Sequence, residues 1–309
     1  MKKIGIIINA NAKKNRKMSK DPGDIYNIIG GDLVDIRLTH SLSELDEVLA
    51  DFRQTGIDYL AIAGGDGSLH HGLTHALNEY GAENLPPVII LKGGTMDNVS
   101  RSLHLPGKGP EILKRMVASL NMNKSIKIEQ RSTMEIGGSY CFLFGAGFVT
   151  NFLDEVYSGT EKGLIRNIQV IGKSVKQILT DPENGSLFKG FSGQIYGNSQ
   201  LLDLPVVTAI LAGTVEHIGM GFSPLNRALE KDDLFHGIIS GISSRTFLKN
   251  LWKMKNGIRL DLENHYDLVL SELRIESNEP FIYTMDGDLF TAERDLVIKA
   301  GPQIKLVSI

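Results

Sequence analysis

One local pattern occurs twice in the chain, and it limits the fold more than any other feature. In IDYLAIAGGDGSLHHGL (57–73) an apolar run stops at glycines and a helical pattern begins, and PPVIILKGGTMDNVSRSL (86–103) repeats that order. A short apolar run bounded by glycine reads as a buried strand. Strands that hand over to helices in succession predict a parallel sheet with crossover helices. IGIII (4–8) adds an earlier strand ending at Asn9. SLSELDEVLADF (41–52) opens with Ser41 and Glu44 at capping-box spacing before an apolar helical period, and Gly81 is placed to close the helix through LHHGLTHALNEY. Ligands of such sheets sit beyond the carboxyl ends of the strands, so the glycines lie at the ligand edge.

After about residue 125 the texture changes. IKIEQRSTMEIGGSYCFLFGAGF, FSGQIYG, LPVVTAILAG, HGIISGI, YDLVLSELRIES and PFIYTMDGDLF read as strands separated by turn residues. Two helical patterns interrupt them, EKGLIRNIQVIGKSVKQIL (161–179) and SRTFLKNLWKMKNG (244–257). This predicts a β-rich antiparallel domain of sandwich type following an α/β domain. The 309 residues suffice for two domains, and 42% hydrophobic residues can fill their cores. A formal charge of -3 gives no global attraction to nucleic acid or to an anionic membrane, so nucleic acid is not an expected partner and membrane contact must come from a local patch. Cys141, the single cysteine, excludes an intrachain disulfide and reads as a core thiol. No run approaches the length of a membrane span or a cleavable leader, which predicts a cytoplasmic protein whose membrane contact, if any, is peripheral. The oligomeric state is not legible.

GGDGS fits neither the P-loop, since no Gly-Lys-Ser/Thr follows, nor the dinucleotide fingerprint, since His70 replaces the third glycine. Two readings stay open for it: a tight reversing turn, or a loop whose bare backbone N–H groups approach an anion at a helix N-terminus. On the second reading Gly64, Gly65 and Gly67 clear the space, Ser68 caps the helix, and Gly93, Gly94 and Thr95 serve from the next strand. Asp66 then holds a donor, such as a ribose hydroxyl or a water on Mg²⁺. MDGD (285–288) is either an Asp-Gly hairpin turn or a reactive carboxylate pair. His71 and His75 stand at metal-binding spacing on a helix but lack a third ligand, and solvated or capping roles suit them as well. KKNRK (13–17) is either a solvated loop or a phosphate-steering patch. SRTFLKNLWKMKNG sets Phe247, Leu248, Leu251 and Trp252 against Arg245, Lys249, Lys253 and Lys255, either packing on the β domain with a wet basic face or lying on anionic lipid.

GGDGSLHHGL resembles the GGDG-T-x-N/H-E stretch of the diacylglycerol kinase catalytic-domain family, which includes bacterial lipid kinases and sphingosine kinases, and KGGTMDNVSRSL is similar to its P-x-G-T-x-N-D-x-x-R. IINANAKKN, FGAGF, LNRALEKDDLFHGII and YTMDGD match further elements in collinear order, over nearly the whole chain. The resemblance implies an α/β nucleotide domain of NAD kinase/phosphofructokinase type, residues 1–125 with a returning segment 292–309, and a lipid-binding β domain, residues 126–291. It implies an ATP-dependent, Mg²⁺-requiring kinase that transfers the γ-phosphate to a hydroxyl of a neutral, diacylglycerol-like lipid. Asn9, Gly64, Gly65, Asp66, Gly67, Ser68, Gly94, Thr95 and Arg101 would hold nucleotide; Asp286, with Asp288 beside it, would be the catalytic base; Asp232 matches a position tied to a structural divalent ion, and also reads as a surface turn acid. The chain departs from the pattern in several places. His71 replaces a glutamate, Asp97 and Asn98 invert an Asn-Asp pair, Asp288 shortens a glutamate, Ala10 replaces a proline, and Lys127 stands where an aspartate is common. NAD kinase is an alternative enzyme that the second loop and MDGD suit poorly. A non-catalytic nucleotide or lipid sensor is the alternative that Lys127 and His71 favour.

Overall fold

The structure is a computed structural model and describes residues 2–11, 23–93, 98–103, 105–157, 186–219 and 221–308. The basic stretch 13–17, the helical pattern 161–179, Gly94 and Thr95 lie outside the described residues. The chain divides into two compact units, Met1–Arg131 with Pro302–Ile309, and Ser132–Gly301.

In the first unit β1 (Ile4–Asn9), β2 (Val34–Thr39), β3 (Tyr59–Gly64) and β4 (Val88–Lys92) pair in parallel in the order β2-β1-β3-β4, and Leu306 near the chain's end pairs in parallel with Val88. Helices α1 (Asp24–Gly30), α2 (Leu42–Thr55), α3 (Asp66–Tyr80), α4 (Asn98–Ser102) and α5 (Gly109–Asn121) connect or flank the strands. All residues of β1, β3 and β4 but the last of each are buried, as expected where helices cover both faces of a parallel sheet. The α2 start forms as its sequence requires: Ser41 Oγ accepts the Glu44 N–H at 3.1 Å. The Glu44 carboxylate reaches back one residue past the cap, accepting the His40 N–H at 2.7 Å. Gly81, at φ +72, closes α3 by donating its N–H to the Leu77 carbonyl at 2.9 Å.

The second unit is antiparallel and has two layers. One layer is the six-stranded sheet β12-β11-β10-β7-β14-β15, built from β7 (Leu143–Gly147), β10 (Ala209–Gly213), β11 (Phe235–Ser240), β12 (His265–Leu270), β14 (Phe281–Met285) and β15 (Asp288–Ala292). The other contains β8 (Gly193–Gly197), β9 (Gln200–Leu202), β13 (Glu272–Ser277) and the first half of the last strand, β16 (Asp295–Ser308). Within the unit the end of β5 (Lys127–Ile136) pairs with β6 (Ser139–Cys141). Phe144, Ile210 and Phe235 from the first layer share one buried cluster with Ile195, Leu273, Ile275 and Ile298 from the second. Each such side chain contributes about 1.5–3 kcal/mol, enough together to close a sandwich of short strands. The chain leaves this unit only at Pro302, because Asp295–Lys299 still pair with Glu272–Glu276.

FGAGF does not continue as a strand to its end. Gly147 takes φ +67, a side chain there would meet the Thr208 carbonyl at 2.5 Å, and Phe148 begins α6 (Phe148–Tyr157). SRTFLKNLWKMKNG forms α7 (Ser244–Lys255), with the Ser243 side chain accepting the Thr246 N–H at its start.

Candidate functional site

In the first unit the two glycine loops meet directly. The Gly93 N–H donates to the Gly64 carbonyl at 2.7 Å, and a Cβ on Gly93 would sit 3.1 Å from three backbone atoms of Gly64. Only glycine allows that approach without displacing β3 from β4. Gly65 is the N-cap of α3 and offers no side-chain cap, so the first-turn N–H groups are not closed off by the residue that precedes them. Ser68 is not the cap that its sequence position had implied. It lies in the first turn of α3, and its Oγ accepts from Asn9 Nδ2 at 3.4 Å. Asn9 Oδ1 in turn accepts the Asn11 N–H at 2.9 Å, and Asn11 Nδ2 donates to the His40 carbonyl at 2.6 Å, so the chain after β1 turns toward His40, just before the start of α2.

Asn9, Gly64, Gly65, Gly67 and Ser68 thus converge at the carboxyl ends of β1 and β3, with Gly93 at the end of β4. Asp66 is the first residue of α3. Arg101 is exposed on α4. A shallow recess, open to solvent and with room for about one water, is lined by Ile62, Gly64, Gly65, Leu69, Ile90, Val99 and Ser100. Val99 and Ser100 were not singled out in the sequence; their signal was a position just past the second glycine loop, on the helix that follows it. The histidines of α3 do not gather: His70 is buried with its ring edge-on to His71 at 5.0 Å, and His75 Nδ1 pairs with Asp46 of α2. Lys127 is exposed, and its ammonium is held by Glu129 at 2.7 Å. That hydrogen bond, opposed by burial, lowers the Glu129 carboxyl, with Ser308 and Arg131 adding to it.

In the second unit Asp286 and Gly287, at φ +48 and +97, make the two-residue turn between β14 and β15, so the hairpin reading of MDGD describes the backbone. The side chain does more than turn the chain. Asp286 is buried, and its Oδ1 accepts the N–H of Leu143 at 2.8 Å and of Phe142 at 3.1 Å, with Oδ2 3.3 Å from the latter. Backbone donors of this kind favour the ionised carboxylate. Asp288 starts β15, opposite Met285. Burial pushes the neighbouring Cys141 thiol well above its ordinary range, and the Asp286 charge pushes it further, so this cysteine is a core residue. Asp232 stands exposed in a turn, and among the described residues no group of three His, Cys, Asp or Glu gathers to hold a metal.

A second buried polar cluster lies in the same unit. His236 Nε2 faces Asp267 Oδ1 at 3.1 Å, and Arg227 Nη1 donates to that oxygen at 2.9 Å. The Arg227 backbone N–H points at His236 Nδ1 at 3.3 Å, which assigns the ring hydrogen to Nε2. Burial alone would push the Asp267 carboxyl up, yet the hydrogen bonds from His236 and Arg227 hold it down at about 2. These groups join β11, β12 and the turn before them and read as a structural network.

Residues 3–127 match the family profile of the diacylglycerol kinase catalytic domain. Among solved structures, one provisionally named a diacylglycerol kinase from Bacillus anthracis str. Sterne is 16% identical with a TM-score of 0.68, over 100% of this chain and 97% of that one. Another from the same organism, named a diacylglycerol kinase, is 15% identical with a TM-score of 0.63 and the same coverage. At such identity these structures establish a shared fold, which includes the second unit that the family profile does not reach. No curated protein sequence matches the chain.

Proposed function

We propose, for a chain that belongs through residues 3–127 to the diacylglycerol kinase catalytic-domain family, that it transfers the γ-phosphate of ATP to a hydroxyl of a neutral, diacylglycerol-like lipid. The observation that carries the nucleotide half is the contact of the two glycine loops at the uncapped start of α3. A surface bare of side chains, with backbone N–H groups and the positive end of a 15-residue helix, suits an anionic phosphate chain. Asn9 and Ser68 brace that start from the side. Mg²⁺ fits as a companion of the nucleotide, since the ion commonly takes its ligands from phosphate oxygens, water and one or two carboxylates. When bound it would offset phosphate charge.

The protein's own part is positioning and charge, because phosphoryl transfer leaves little covalent chemistry to side chains. Asp286 is the group proposed to take the acceptor hydroxyl's proton. Its support is the resemblance of the MDGD turn to the family motif and the clamp of Phe142 and Leu143 N–H groups, which fixes the carboxylate in direction. The first unit then serves as the nucleotide domain and the second as the lipid-holding domain.

The nucleotide half is tested with Gly65→Val. Gly65 has φ -96, a backbone conformation open to any residue, so the variant should fold, while its side chain stands over the helix start. Calorimetry should show ATP affinity reduced at least about tenfold. Unchanged affinity in a folded variant would remove the assignment.

A further inference from the structure

We infer that α7 is a docking surface for an anionic lipid bilayer, with Trp252 as its inserted anchor. Trp252 is 69% exposed, although it is the largest apolar side chain available and the chain has only one. Its neighbours one and two turns away on the same helix face are Arg245, Lys249 and Lys255, and Lys253 flanks it. Arg245, Lys249, Lys253 and Lys255 are exposed, and the helix contains no acidic residue.

The opposite face holds α7 to its own unit. The Phe247 ring lies 4.7 Å from Phe148 and 5.1 Å from Phe188, and Leu251 and Met254 are half-buried. Phe247 and Trp252 are therefore not one stripe: five residues of helix turn them about 140° apart. Past the helix end the Ile258 N–H donates to the Lys253 carbonyl at 2.9 Å, which brings an exposed Ile258 and an exposed Arg259 to the same end.

The chemistry of the patch selects the occupant. Among the described residues none of Arg245, Lys249, Lys253 and Arg259 is in an ion pair, so their charge is not spent within the fold. The whole chain carries -3, so attraction to an anionic surface has to be local, and α7 supplies it. A polyanion such as RNA would use the cations and gain little from Trp252 and Ile258. A bilayer uses both, since cations meet anionic headgroups while the indole and aliphatic groups enter the interface. Docking does not depend on phosphotransfer, and it is measured without ATP or acceptor lipid.

The sole tryptophan makes the test direct. Phosphatidylglycerol-containing vesicles should shift the emission of the wild-type protein to the blue and shield it from acrylamide; phosphatidylcholine vesicles should do neither. Half-molar salt should reverse the shift. In vesicle sedimentation Arg245→Glu/Lys249→Glu and Trp252→Ala should each bind at least about tenfold more weakly, since each cation near the surface accounts for about a fivefold change. Circular dichroism melts verify that these exposed substitutions leave the fold intact. No shift with anionic vesicles, an equal shift with neutral ones, binding unaffected by both variants, or a shift produced by a homopolymer RNA and not by vesicles would each overturn the inference.

Discussion

Replacing Asp286 by Asn and, separately, by Ala divides its anchoring role from its proposed chemistry. In Asp286→Asn the side-chain carbonyl oxygen can replace Oδ1, keeping the Leu143 and Phe142 N–H donors now at 2.8 and 3.1 Å. The loss is then only the charge assistance of two hydrogen bonds, about 1–2 kcal/mol in all. Asp286→Ala leaves both buried N–H groups without this acceptor, at about 1–3 kcal/mol each. It also forces alanine to φ +48, a region that Asn and Asp tolerate and alanine resists by about 1 kcal/mol. The Ala variant should therefore be less stable by about 3–7 kcal/mol. At about 2–4 °C per kcal/mol the melting temperature falls by roughly 2–8 °C for Asn and 6–28 °C for Ala, read by circular dichroism. Turnover separates the two roles: the folded Asn variant should retain ATP affinity and lose lipid phosphorylation about 100-fold or more. Equal melting of the two variants would refute the anchor, and an undiminished rate in Asp286→Asn would refute the proton acceptor.

Asp267 sets an acid limit on the second unit. Its carboxyl titrates at about 2 in the fold against an ordinary 3.8, so it stabilises the fold above pH of about 4 and that contribution is lost as pH falls toward 2. The wild-type melting temperature should drop over that window more steeply than that of Asp267→Asn, and parallel profiles would contradict the network. Cys141 should resist a thiol-labelling disulfide reagent until denaturant is added, giving one equivalent on unfolding. Rapid labelling in native buffer would show that the thiol is not in the core.

The strands of the first unit were legible because β1, β3 and β4 are buried on both faces and so are written as apolar runs that stop at Asn9, at Gly64 and at Lys92 before Gly93. Strand β2 was harder to read. It pairs only with β1, so Asp35 and Arg37 interrupt its apolar run; they pair with each other at 2.8 Å, and Arg37 also reaches Asp51 of α2 at 2.9 Å. The glycine loops could be located from composition, but their mutual contact could not, because the Gly93–Gly64 hydrogen bond joins neighbouring strands across residues 65–92. Ser68 illustrates the limit of local rules: a serine beside a helix start suggests a cap, whereas a tertiary partner, Asn9, takes the hydroxyl. In MDGD the turn was visible locally, but the carboxylate's clamp on Phe142 and Leu143 depends on β7 lying beside β14, a pairing that no local signal encodes. Trp252 was placed with Phe247 by apolar count alone; the packing of Phe247 on Phe148 decides which of the two faces inward.

Product analysis tests the central claim most directly. The purified chain is incubated with ATP labelled at the γ-phosphate, Mg²⁺ and diacylglycerol in mixed micelles, and the extracted lipid is examined by mass spectrometry. The account predicts label in phosphatidic acid with one ADP formed per lipid phosphorylated, and loss of that product in both Gly65→Val and Asp286→Asn. ATP binding with no labelled lipid, from diacylglycerol or from any other neutral lipid offered, would contradict it and leave a nucleotide sensor in its place.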